Sequence, residues 1–158
     1  ALCSSIIARR QPIASDLRFI IAISKMTTNL ERIGDEAEKI ARKTRRLITE
    51  KQLTQINSTE ILEEAKFALK LLSMVLTAFK LQDVKQSREI IREDKILDDA
   101  FAKILTNLMH GDYSRNNDVS VLMDFLFMAK GIERIGDHTK NISELIIYMV
   151  EGVDVRHK

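Results

Sequence analysis

Apolar side chains recur along most of this chain at alternating steps of three and four residues. Between positions 16 and 50 the seam runs Ile23, Met26, Leu30, Ile33, Ala37, Ile40 and Leu47, with Thr44 as its polar member. Steps of that size keep one face of an α-helix apolar, so the spacing predicts one long helix over 16–50. The rhythm returns over 58–80 in Leu62, Ala65, Leu69, Leu72, Leu76 and Phe79. It returns again over 84–110 in Ile90, Leu97, Phe101, Ile104 and Leu108. A last helix, from about Val119 to Val150, carries Phe125, Met128, Ile132, Ile135, Thr139, Ile142, Ile146 and Met149. Residues 1–10 read as the end of a further helix closed by Gln11-Pro12, with Ser15-Asp16 placed to cap the next.

Short polar links at 51–57, 81–83 and 111–118 suit antiparallel neighbours, so the expected fold is all-α, with long helices packed side by side. Composition agrees. One Pro and five Gly leave little material for the turns of an all-β fold, while 45% hydrophobic and 30% charged residues describe a globular chain. The net charge of +2 gives no electrostatic case for nucleic acid, and the absence of Trp removes the best base-stacking side chain. Cys3 is alone and cannot form an internal disulfide, which fits a reducing compartment and hence the cytoplasm. The apolar run Leu145–Val150 is far too short to cross a bilayer.

The two longest helices contain nearly the same segment. Leu30-Glu31-Arg32-Ile33-Gly34-Asp35 is matched by Ile132-Glu133-Arg134-Ile135-Gly136-Asp137, with both acids displaced by 102 residues. The whole apolar seam of the first helix maps onto the second by the same displacement, so the repeat is in phase with the packing. Two versions of one helical unit are therefore expected: the latter part of a first unit over 1–50, and a second unit over 56–151 built from helices 58–80, 84–110 and 117–151. Residues 152–158 form a tail. At about 1.5 Å per residue each long helix spans about 50 Å.

Each copy places a Glu and an Asp one helical turn apart, where both side chains leave from one face. Hard cations take oxygen ligands, and such a pair can bracket a metal ion. An acidic stripe balanced by Arg32 and Lys39 is the plain alternative for Glu31 and Asp35. The case is stronger at position 94, where the seam of 84–110 steps from Ile90 to Leu97 through Asp94. An acid on an apolar seam is costly to bury unless it is paired or ligated. Asp98 follows one turn later. Glu93 and Asp99 fall to the sides. The alternative for Asp94 is a salt bridge to Arg134 or Lys130. Gly34 and Gly136 stand in helix interiors, where Gly costs about 1 kcal/mol against Ala; a small residue there leaves room for a neighbour to approach. His138 points away from the Asp137 face, His110 suits a helix C-terminus, and His157 is in the tail, so all three read as structural.

Taken together, these residues resemble the PhoU family, the accessory regulators of bacterial phosphate uptake. The likeness rests on Arg9-Arg10-Gln11-Pro12 with Ser15-Asp16-Leu17-Arg18, on the two E-R-I-G-D segments, on Arg92-Glu93-Asp94-Lys95 with Asp98, and on Asn141. It implies PhoU-like tandem three-helix bundles, the first of them incomplete in this sequence. It also implies metal ligands at Glu31, Asp35, Asp94, Asp98, Glu133 and Asp137, with multinuclear iron in some members; iron, manganese, magnesium and zinc all remain open. The implied role is a negative regulator of phosphate uptake and of phosphate-starvation signalling. Such a regulator links the phosphate ABC transporter, through its ATPase subunit, to a sensor histidine kinase. The implied association with the membrane is peripheral, through those partners. A homodimer is also expected, because the seam of 16–50 needs a cover. The acids that would face Glu31 and Asp35 are not in this sequence, and Lys39 stands where the other repeat has Asn141, so the two sites need not be equivalent.

Two other readings stay in view. A carboxylate-bridged di-iron protein of the ferritin-like kind needs Glu-x-x-His pairs on its bundle helices, and no helix here carries one. A helical scaffold with a merely solvated acidic surface binds no metal. No nucleophile–base pair or phosphate-cradling Gly loop points to an enzyme.

Overall fold

Pro12 separates the first two helices. In the computed structural model, which describes residues 2–52, 58–110 and 119–155, α1 (Leu2–Arg10) ends before it and α2 (Ala14–Thr49) begins just after it. The cap position of α2 is Ile13, extended at φ −121°, and no side chain caps the helix. Ser15 and Asp16 are therefore not the cap expected from sequence. They lie inside the first turn, where the Asp16 charge meets the positive end of the helix dipole. Three more helices follow: α3 (Thr59–Leu81), α4 (Val84–His110) and α5 (Val119–Glu151). The fold is all-α, with no strand among the described residues. No described helix is long and apolar enough to cross a membrane.

The α3–α4 hairpin turns within two residues. Gln82 adopts the left-handed conformation (φ 53°), and its N–H bonds back to the last turn of α3. Asp83 then caps α4, its Oδ1 accepting the Gln86 N–H at 2.9 Å.

Helix α5 is the centre of the bundle and packs against α2, α3 and α4. It is buried nearly all round, from Val121 to Met149. Its antiparallel register against α2 sets Gly131 beside Ile40, the His138 Nδ1 3.0 Å from Asn29 Oδ1, and Gly152 beside Arg18. Against α4 it sets Gly136 beside Leu97 and Glu151 beside Arg88. The main core joins Ala22, Met26, Ile33, Leu71, Val75, Ile90, Leu97, Ile132 and Ile146. A second cluster of Leu47, Val121, Phe125 and Met128 closes one end.

Helix α3 turns a different face inward from the one its Leu spacing predicts. Glu64, Ala68, Leu71, Val75 and Ala78 are buried, while Leu62, Leu69 and Leu76 are 54%, 66% and 48% exposed. The helix carries two apolar stripes. The inner one contains Ala68 and Ala78, whose small side chains let the neighbouring helix come close; of the expected seam, Leu62, Leu69 and Leu76 are left outside, while Ala65, Leu72 and Phe79 pack partly buried against the core. In α2 the seam is followed at Met26, Ile33 and Leu47, but Leu30 is 43% exposed and Ala37 is also on the surface.

Candidate metal centre

Asp94 occupies the apolar seam of α4 between Ile90 and Leu97, and it is 2% exposed. Asp98 is one turn further along and reaches solvent. Asp137 comes from α5, level with them because the two helices run antiparallel. A carboxylate oxygen from each of the three lies within 4.8 Å of those of the other two. The close approach depends on Gly136. A Cβ there would collide with Leu97 Cδ1 and come within 3.2 Å of Asp94 Oδ1. At Gly34, its counterpart in α2, nothing lies within 4 Å. Gly136→Ala is therefore expected to destabilise by about 1–3 kcal/mol through overpacking. Gly34→Ala should be neutral, or stabilise by up to about 1 kcal/mol through helix propensity. Urea denaturation of the two variants checks this, and equal effects would refute the asymmetry.

Lys140 Nζ donates to Asp94 Oδ2 at 2.9 Å. This is neither of the partners expected from sequence. The register places Asp94 level with residues 136–140, so Lys130 and Arg134 fall a turn or more away. Lys130 instead sits 2.7 Å from both oxygens of Glu133 and 4.9 Å above the Phe101 ring, and Arg134 leans toward Glu36 at 3.6 Å. Burial raises the Asp94 pKa above the usual carboxylate range. The Lys140 bond opposes that rise, and the Asp98 and Glu133 charges add to it. Burial also raises Asp137, reinforced by Glu133, Asp94 and Asp98. The three aspartates thus strain against one another's charge, and a hard cation among them would relieve that strain. An oxygen-only donor set fits a cation of that class.

The structure brings Asp94, Asp98 and Asp137 together. Glu133 lies beside them, outside the trio, with its carboxylate under Lys130 and its charge felt by Asp94 and Asp137. Glu31 and Asp35 are exposed on the open side of α2, with no third carboxylate grouped with them among the described residues. His138, bonded to Asn29, is structural. The side chain of His110 and the whole of His157 lie outside the described residues.

Sequence reasoning overlooked Glu64. It faces inward from α3 at 3% exposure, and neither of its oxygens has a hydrogen-bond partner among the described residues. Burial, and then the Glu133 charge, push its pKa up to about 8. The signal was its place in the phase of Ala68, Leu71, Val75 and Ala78, which the louder Leu stripe masked.

Residues 1–44 and 61–146 match the model of the PhoU domain family. The chain belongs to the PhoU family. A Burkholderia relative called a phosphate-specific transport system accessory protein PhoU homolog is 42% identical over 156 residues, covering 98% of this chain and 66% of its own. Our PhoU-family chain thus spans about two thirds of that relative's length. The crystal structure of PhoU from Pseudomonas aeruginosa superposes with a TM-score of 0.89 at 37% identity, covering 96% of this chain and 72% of that one. The phosphate transport system regulatory protein PhoU from Streptococcus pneumoniae gives 0.86 at 25% identity, covering 98% and 71%.

Proposed function

We propose that this PhoU-family chain is a metal-binding adaptor in the regulation of phosphate uptake. The carrying observation is the convergence of Asp94, Asp98 and Asp137 across the α4–α5 interface, with Glu133 alongside. These four residues are the proposed ligands of the principal site. Glu31 and Asp35 form a second, weaker pair, since no acidic helix faces them among the described residues. Iron, manganese and magnesium suit an all-oxygen site better than zinc, which more often takes sulfur or nitrogen ligands.

The chain's own groups divide the work. Asp94, buried and anchored by Lys140, fixes the inner edge of the site. Asp98 and Asp137 close it from the solvent side, and Gly136 keeps the helices close enough for all three to share an ion. A bound cation supplies positive charge that ties α4 to α5.

Membership in the family makes the pathway reading the natural one. Relatives are named for the phosphate-specific transport system and for its regulation. The proposed partners are the phosphate ABC transporter, through its ATPase subunit, and a sensor histidine kinase, with negative regulation as the outcome and a second copy of the chain as a further partner. The proposed location is the cytoplasm.

One observation favours the rival scaffold reading: Lys140 and Lys130 already neutralise Asp94 and Glu133. Metal analysis of protein purified without chelator separates the two. The Asp94→Asn plus Asp137→Asn variant is expected to lose its bound metal, while Glu31→Gln plus Asp35→Asn keeps most of it. A parent protein free of metal, or equal losses in both variants, would favour the scaffold.

A further inference from the structure

Glu64 is a buried acid without a counterion. It is 3% exposed, and neither carboxylate oxygen has a hydrogen-bond partner among the described residues. Burial and the Glu133 charge both act against its ionised form, and no cation of the described chain offsets them. A carboxylate left in that state is costly, and a cation bonded to it removes much of the cost.

Glu64 lines an open cleft between α3 and α4, about 240 Å³ in volume. At about 30 Å³ per molecule that space holds roughly eight waters, enough for one long side chain and too little for a helix. The walls are apolar, formed by Phe67, Leu97, Ala100 and Ile104. The rim is acidic: Glu60 and Glu63 stand there against one cation, Lys103, whose Nζ lies 2.9 Å from Glu60 Oε1. Asn107 donates to both Glu60 oxygens as well, at 3.2 and 2.9 Å, so the rim acid is satisfied and Glu64 is not. Ile96, 52% exposed, gives the mouth an apolar edge.

An occupant that fits has a positive head for Glu64, a slim apolar stem for the walls, and apolar neighbours for Ile96. A metal ion offers only the first, and the apolar walls give it no further oxygen ligands. Arginine offers all three. Its planar guanidinium presents two parallel N–H donors, which match the two unbonded oxygens of one carboxylate. Its methylene stem packs along apolar surface. Lysine brings a point charge that is more strongly hydrated and has no fork.

We propose that the α3–α4 cleft is a docking point for an arginine of a partner protein, with the guanidinium paired to Glu64 and the stem held between Phe67, Leu97 and Ile104. Apolar residues flanking that arginine rest against Ile96. Lys103, whose side chain is 68% exposed, and Ile96 turn aside to admit it. No member of the aspartate trio lines the cleft, so the docking point does not depend on the metal reading.

The probe is the blocked peptide acetyl-Leu-Arg-Leu-amide, titrated into the isotope-labelled chain with chelator present and followed by the backbone amide signals in nuclear magnetic resonance. Its control carries citrulline, which has the shape of arginine without the charge. The arginine peptide is expected to shift signals from 60–67 and 96–104 to saturation, and the citrulline peptide to bind at least about tenfold more weakly. Glu64→Gln should erase that preference, while Glu89→Gln, an exposed acid of α4 outside the cleft, keeps it. The citrulline comparison uses the unaltered protein, so it decides the matter even if Glu64→Gln does not fold. Equal binding of the two peptides by the parent, an unchanged preference in folded Glu64→Gln, or no shift in either segment overturns the proposal. Butylguanidinium, the side chain alone, is expected to bind more weakly than the peptide; equal affinity would make the ligand a free small cation and overturn the protein partner. The same shifts on raising the protein concentration without peptide would put a second copy of the chain in the cleft and overturn a foreign partner.

Discussion

Glu64→Leu is expected to stabilise the metal-free protein at pH 9 and to flatten its stability between pH 5 and pH 9. The Glu64 carboxyl has its pKa raised from 4.5 to about 8 in the folded chain, by burial first and by the Glu133 charge second. A raised carboxyl pKa means that the folded state prefers the protonated form. Its contribution is fully present below the unfolded value near 4.5 and is lost as pH rises through about 8. Each tenfold change in acidity is worth about 1.4 kcal/mol, so the parent should lose roughly 2–4 kcal/mol across that window from this group. That is a large part of the 5–15 kcal/mol typical of a domain. Asp94 and Asp137 are raised in the same sense, so some of the slope will remain in the variant. Urea denaturation with chelator present, at several pH values, reads the difference. Parallel profiles for parent and variant would show that Glu64 does not ionise in a buried place.

Leu71→Ala should cost about 2–5 kcal/mol, and Leu69→Ala, two residues away in the same helix, about 0.5 kcal/mol or less. Leu71 has no exposed surface and packs with Val75 and Ile146 in the core, whereas Leu69 is 66% exposed. The pair decides which stripe of α3 faces inward. Comparable losses in dilute solution would mean that the helix is turned the other way. A Leu69→Ala cost that grows with protein concentration would instead mean that the outer stripe is buried between two copies of the chain.

Much of the architecture was legible in letters. Helix ends were placed within about two residues, because Pro12, the polar links and the apolar steps mark them locally. The seam of α4 was read correctly, Asp94 included, since that helix has a single apolar stripe interrupted by one acid. Helix α3 was read only in part: Ala65, Leu72 and Phe79 pack against the core as expected, but Leu62, Leu69 and Leu76 do not, because two apolar stripes compete and periodicity cannot rank them. Lys140 as the partner of Asp94 was out of reach as well, because it depends on the register between two helices.

The chain's own letters determined that it is helical, that it repeats itself with a displacement of 102 residues, and that acids recur beside the seams of its two longest helices and on the seam of 84–110. These follow from local periodicity and from comparison of the sequence with itself. Tertiary structure decided which acids meet. The two E-R-I-G-D segments are identical, yet Asp137 faces Asp94 and Asp98 across Gly136, while Asp35 faces open space beside Gly34. The same five residues differ in chemistry because carboxylates interact through space. What lies across from a helix is set by the fold around it, and no periodicity within the helix encodes that.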